Sequence, residues 1–157
     1  MERVEIIEYN DAYKEAIKTL NYEWLQKYFR VEEGDVVSLG NPQREIIDKG
    51  GYIYYARLNG EIVGTASLLK VTGDVYELGK MAVTEKARGR HIGTLLLEHC
   101  LQVAQQKGIK KLILYSNTKL ANAIGLYRKY GFNEIDLEPG HYERADIKME
   151  KILLNDK

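Results

Sequence analysis

The chain has 157 residues, 45% apolar and 29% charged, and its 23 basic residues balance 23 acidic ones. That length fits one domain, residues 1–157, with its own core. The charge balance excludes a strongly basic surface, so neither nucleic acid nor membrane is expected as the main partner. One cysteine excludes an internal disulfide and a cysteine-rich metal site, and no metal is expected. There is no apolar run of membrane-spanning length and no signal-peptide pattern at Met1, which points to a cytoplasmic location.

In chain order, Val4 to Glu8 alternates and reads as a strand. Asn10 and Asp11 offer a cap for a helical stretch from Asp11 to about Phe29, in which Tyr13, Ile17, Leu20, Trp24 and Tyr28 recur at helical spacing. Gly34-Asp35 ends that region. Asn41-Pro42 reads as a cap followed by a first-turn proline, and Gly50-Gly51 closes the short helix. Tyr52 to Leu58 and Glu61 to Val71 are strands joined by the hairpin dipeptide Asn59-Gly60, and Gly73-Asp74 turns into a third strand, Val75 to Val83. The spacing of Ile92, Leu95, Leu96, Cys100 and Val103 predicts a helix from Ile92 to Lys107, ended by Gly108. Lys111 to Ser116 suits a short buried strand. Lys119 to Tyr130 reads as a helix with Leu120, Ala123, Ile124 and Tyr127 on one face and Gly131 beyond its end. Phe132 to Leu137 and Tyr142 to Ile152 complete the chain as a strand pair around Pro139-Gly140. The order predicts an α/β fold, a mixed central sheet flanked by helices.

The connection from Val83 to Thr94 leaves a strand and opens a helix. The first N–H groups of a helix lack internal partners and carry a partial positive charge, so such an end can hold phosphate if the backbone comes close. Gly89 and Gly93 permit that approach, and Arg88 and Arg90 add full charges. An ordinary turn with solvated arginines is the alternative. The Gly-Lys-Ser/Thr of a Walker A loop is absent, and two glycines do not make the three-glycine dinucleotide fingerprint.

Arg88, Gly89, Arg90, His91, Ile92, Gly93 and Thr94 resemble the acyl-CoA pyrophosphate loop of the GNAT superfamily of N-acyltransferases, Gln/Arg-x-x-Gly-x-Gly/Ala, with His91 standing at the middle glycine. Gly125-Leu126-Tyr127-Arg128-Lys129-Tyr130-Gly131-Phe132 looks like the family's second signature, and Glu77 to Val83 is similar to its fourth strand. The resemblance covers nearly the whole chain and implies the GNAT fold, acetyl-CoA as cofactor and transfer of an acetyl group to a primary amine, either a small amine or an amino-acid-like one. A peptide amine remains a possible substrate, and the fold is one that often forms homodimers.

The same resemblance implies that the backbone of Met81, Ala82 and Val83 pairs with the pantetheine arm, and that Asn117 or Asn122 bonds its amides. It also implies that Tyr127 protonates the departing thiolate and that Glu77 takes the proton from the amine. Read as residues alone, Tyr127 also suits a core aromatic, Glu77 a strand carboxylate or a partner of Lys80, and Asn117 a helix cap. The acceptor cleft would be lined by Tyr28, Phe29, Arg30, Glu32 and the segment His141-Tyr142-Glu143-Arg144-Ala145-Asp146, where acidic groups suit an ammonium and Arg30 or Arg144 a carboxylate. His99 and Cys100 are adjacent on a helix and point about 100° apart, which argues against a nucleophilic pair. A non-catalytic acyl-CoA-binding sensor or regulatory module is the alternative function.

Overall fold

The computed structural model describes residues 3–153. A seven-stranded sheet runs in the order β1-β2-β3-β4-β5-β7-β6. Its strands are β1 (Val4–Glu8), β2 (Tyr52–Leu58), β3 (Glu61–Lys70), β4 (Val75–Val83), β5 (Lys111–Ser116), β6 (Asn133–Ile135) and β7 (Ile147–Ile152). The helices are α1 (Lys14–Tyr28), α2 (Glu33–Gly40), α3 (Ile92–Gln106) and α4 (Ala121–Lys129). Asn59-Gly60 turns β2 into β3 with φ of 51° and 84°, the left-handed geometry that a tight hairpin demands.

Two layers of side chains flank the sheet. On one face Leu96, Cys100, Ala104 and Ile124 pack on Ala66, Leu112 and Met149. On the other, Ile17, Leu25, Leu39 and Ile46 pack on Ile53 and Tyr55. Each fully buried large aliphatic contributes about 1.5–3 kcal/mol, so both layers are needed to offset chain entropy.

Two departures from the expected elements matter. Gly34-Asp35 does not end a helical region but lies in the first turn of α2, because Glu32 and Asp35 close a reciprocal capping box. The last strand pair is shorter than expected, and residues 136–146 form a loop between β6 and β7. That loop folds back over the sheet: Asn117 Nδ2 donates to the Arg144 carbonyl at 2.7 Å, and Asp146 accepts from the Thr118 backbone at 2.9 Å.

The sheet opens in its middle. β4 and β5 are parallel and pair only from Val75 to Glu77 against Lys111 to Ile113, whereas β5 stays paired with β7 along its whole length. Beyond Glu77 the two strands part. β4 also carries a bulge: Thr65 faces Ala82 and Ser67 faces Gly79, so Ala66 opposes both Lys80 and Met81. Lys80 takes the extra position at φ 51°. Such a bulge re-aims the side chain it carries.

Candidate active site

A cavity of about 270 Å³ fills the gap between the parted strands. Glu77, Met81, Ala82 and Val83 of β4 form one side, and Tyr115 and Asn117 the other. Tyr127 of α4 and Arg88 lie along the walls, and Trp24, Phe29, Asp35, Tyr142 and Arg144 also line it.

The open edge of β4 has unspent backbone groups. Thr84 N–H donates to Val63 of β3 at 2.9 Å. Strand alternation therefore turns the backbone of Val83 and Met81 to the opposite edge, where β5 no longer follows. An extended amide-bearing chain would find strand-like partners there.

The loop past β4 rises to α3 through a short 3₁₀ turn, Glu85–Ala87. Gly89 has φ 84°, and His91, the residue before the helix, has φ 59°. The second value explains why a glycine would suit that position: the site is left-handed, and only the mild tolerance of His for it lets the substitution stand. The first helical bond runs from Leu95 N–H to the His91 carbonyl, so the N–H groups of Ile92, Gly93 and Thr94 precede the helical ladder. The Ile92 side chain is buried in the core, which fixes this end of the helix, while Arg90 and His91 are exposed. A Cβ on Gly93 would sit 3.7 Å from Met81 Cε, so the helix start packs directly on β4. These features fit a phosphate-bearing cofactor whose arm enters the strand gap.

Tyr127 projects from α4 into the cavity, its ring edge-on to Phe132 at 5.9 Å. Burial pushes its phenol up to about 12, so it stays protonated and able to donate at neutral pH. Asn122, on the same helix, is exposed and does not line the cavity. Asn117 does line it, and its amide also holds the β6–β7 loop and the Lys119 N–H at 2.8 Å. His99 packs edge-on against Tyr54, while Cys100 lies in the core, its thiol pushed up to about 12 by burial. The two form no pair.

Glu77 is 6% exposed. Tyr142 donates its hydroxyl to Oε2 at 2.9 Å, and His141 Nε2 lies 3.3 Å from Oε1. Gly79 is close by: a Cβ there would stand 3.0 Å from Oε2.

Across from Glu77 lies a compact charge network. Arg144 donates to Asp35 at 2.8 and 3.1 Å and to Glu32 at 3.0 Å, and its guanidinium stacks 4.7 Å from the Tyr142 ring centroid. Lys80 Nζ stands 3.4 Å from Asp35 Oδ1. Burial works to raise the Asp35 carboxyl, but the Arg144 and Glu32 N–H bonds and the charges of Lys80 and Arg144 outweigh it and hold it below the ordinary range. Burial lowers the Lys80 ammonium, against the pull of Asp35 and Glu77. Arg30 is ion-paired with Glu143, and Tyr28, exposed at the end of α1, has its phenol lowered chiefly by its bond to Arg88. Neither arginine expected to meet a substrate carboxylate is therefore uncommitted: both are spent on internal carboxylates.

Asp35 and Trp24 enter the site without a sequence signal that singled them out for it; His141 stood in the segment expected at the acceptor cleft, and Lys80, weighed as a partner of Glu77, pairs with Asp35. The capping-box spacing from Glu32 to Asp35 was available as a signal for α2, though not for its charge role.

A parted parallel strand pair with a helix N-terminus beside it, and Glu77 and Tyr127 in the gap, is the arrangement this fold presents. Residues 9–132 match the model of the acetyltransferase (GNAT) family, and the chain belongs to that family. It is 28% identical over 109 residues to the uncharacterized N-acetyltransferase YjgM of Escherichia coli K12, covering 67% of this chain and 65% of the relative. It is 29% identical over 96 residues to the [ribosomal protein bS18]-alanine N-acetyltransferase of the same organism, covering 61% of this chain and 64% of the relative. With an IAA acetyltransferase of Azospirillum brasilense it shares 37% identity over 78 residues, 49% of this chain and 51% of the relative. The chain thus spans between about half and two thirds of the length of these relatives. Among solved structures, a GNAT-family acetyltransferase of Staphylococcus aureus Mu50 superposes with a TM-score of 0.87 at 26% identity, covering 97% of this chain and all of the other. The PaiA N-acetyltransferase of Thermoplasma acidophilum, solved with coenzyme A, shares the fold at TM-score 0.74 and 20% identity, over 96% of this chain and 99% of that one.

Proposed function

We propose that the chain is an acetyl-CoA-dependent N-acetyltransferase acting on a small primary amine by direct attack on the thioester. The observation that carries this reading is that Glu77 and Tyr127 line one cavity, at the point where β4 and β5 part. Acetyl-CoA supplies an activated acyl group. Glu77 takes a proton from the bound ammonium, whose ordinary pKa near 10 keeps it protonated at neutral pH. A backbone N–H of the free β4 edge faces the developing oxyanion. Tyr127 gives its proton to the leaving sulfur. Burial that raises the phenol acts in the same direction on a thiolate released beside it, so donor and acceptor stay matched.

The acceptor is narrowed by charge. Arg30, Arg144 and Lys80 are each paired with an internal carboxylate, while Glu77 is bonded by a neutral phenol and a histidine ring. This favours an acceptor recognised through its ammonium over one that needs a free cation for a carboxylate. The relatives' names carry different acceptors, IAA in one and an alanine of a ribosomal protein in another, and do not choose between them.

The test is release of CoA thiol from acetyl-CoA across polyamines, aromatic amines, amino acids and peptides, with Tyr127→Phe run beside the wild type. Turnover on an amine class that falls in the variant while acetyl-CoA binding survives supports the reading. Tight binding without turnover on any amine would favour the sensor instead.

A further inference from the structure

Amine acetylation leaves one proton to dispose of in every turnover. The ammonium loses two protons on the way to the amide. One goes with the sulfur to give the thiol, and the other, taken by the general base, must reach solvent before the next cycle. Under the acetyltransferase reading, on which this inference rests, that base is Glu77, and Glu77 is almost fully enclosed.

Its neighbours differ in what they can accept. The Tyr142 hydroxyl is already a donor to Oε2, and burial together with the Glu77 charge holds that phenol well above its ordinary value. It cannot take a further proton. Lys80 faces the site from the bulge of β4 but pairs with Asp35, and Arg144 is saturated by Asp35 and Glu32. His141 alone among these groups joins the carboxylate to the outside: Nε2 is 3.3 Å from Oε1, and the side chain is 43% exposed. The ring is held in place by Tyr115 of β5, stacked at 4.2 Å, and by the edge contact with Tyr142 at 4.4 Å. Tyr115 is in turn bonded to Glu138 and approached by Lys148, so the platform under the imidazole is itself fixed.

We propose that His141 is the proton exit of this enzyme, relaying the proton from Glu77 to water. Neutral imidazole takes the proton at Nε2 from the Glu77 carboxyl, which returns to carboxylate. The imidazolium then gives a proton to water from its other nitrogen, and tautomer exchange through solvent resets the ring. No other reactant enters, and the net yield is one hydrated proton for each amide formed. A histidine suits this place because neutral imidazole can take a proton at one ring nitrogen and give one up from the other.

His141 is not among the residues that line the cavity, so its effect is expected on the proton step and not on binding. The experiment is steady-state acetylation at neutral pH of the best amine found for the wild type, with His141→Gln and His141→Ala, and a single-turnover measurement of each beside it. Glutamine can keep a bond to Glu77 but cannot relay. Both variants are expected to lower steady-state kcat by about tenfold to a hundredfold, with the single-turnover rate and acetyl-CoA affinity near wild type. Imidazole added to the buffer is expected to restore His141→Ala in proportion to its concentration and to leave the wild type unchanged. A His141→Gln kcat equal to wild type would overturn the relay, as would a slow His141→Ala that ignores imidazole, since that result marks a structural role. A wild type that turns over no amine would overturn the underlying acetyltransferase reading, which the wild-type arm alone decides.

Discussion

The Tyr142 hydroxyl donates to Glu77 Oε2 at 2.9 Å, joining the β6–β7 loop to the middle of β4 across the cavity. The bond fixes the direction of a buried carboxylate whose other oxygen faces His141. It also makes the loop part of the site.

Glu77→Gln keeps the shape and removes the proposed base. Its kcat is expected to fall by about a hundredfold or more, the range for loss of a positioned general base. Tyr142→Phe keeps the base and removes its guide, and a smaller loss, about tenfold, is expected from misdirection of the carboxylate. Steady-state kinetics of the two variants check the order. A Tyr142→Phe enzyme as slow as Glu77→Gln would mean that the phenol itself takes part in proton transfer.

Gly79 tests the same geometry from the strand. A methyl group there would meet Glu77 Oε2 and Leu69 Cδ1 at 3.0 Å, so the carboxylate must yield by a few tenths of an ångström. Gly79→Ala is expected to fold and bind acetyl-CoA, yet lose kcat by about tenfold as the carboxylate swings from its partner. Circular dichroism, cofactor titration and turnover together separate that outcome from simple unfolding.

The sequence made the sheet legible because its signals are local. β1, β2, β4 and β5 have the bounds that alternation and turn residues predict, and Asn59-Gly60 turns the hairpin it promised. α4 begins two residues late, at Ala121, since Leu120 caps it without a side-chain bond and Asn117 instead serves the turn before it. The charge network was not legible. Asp35 and Arg144 are 109 positions apart, and nothing in either neighbourhood announces that they meet. Lys80 owes its place to a bulge that no residue type there demands, and the loop at 136–146 looked like strand because Tyr142 to Ile152 alternates well enough. Long-range pairing and backbone irregularity carried the part of the site that local pattern missed.

His91 sits at φ 59° just before α3, where glycine meets no Cβ penalty. His91→Gly removes that strain but adds chain entropy in the unfolded state, and the difference is expected to favour the variant by up to about 1 kcal/mol. Thermal denaturation should show a midpoint higher by about 2–4 °C for a gain of that size. Acetyl-CoA affinity is expected to hold, because the position offers its backbone and not its ring. A loss of affinity of tenfold or more would instead assign the imidazole a contact with the donor.

The network at Asp35 makes a prediction about acid. Asp35 is 1% exposed, with Arg144 and Lys80 as its cationic partners. Its folded pKa is depressed, so between that value and the unfolded value of about 3.9 the unfolded chain holds more protons. The stability it contributes is therefore complete above about pH 4 and is lost as pH falls through the folded pKa. Asp35→Asn should be less stable than wild type by about 3 kcal/mol at pH 6, the scale for breaking a buried pair by removing one charge. The gap should then narrow as pH falls below 4, because the wild type loses what the variant never had. Urea denaturation of both proteins from pH 3 to 6 measures it. Curves that stay parallel over that range would show that Asp35 is not held ionised by its partners.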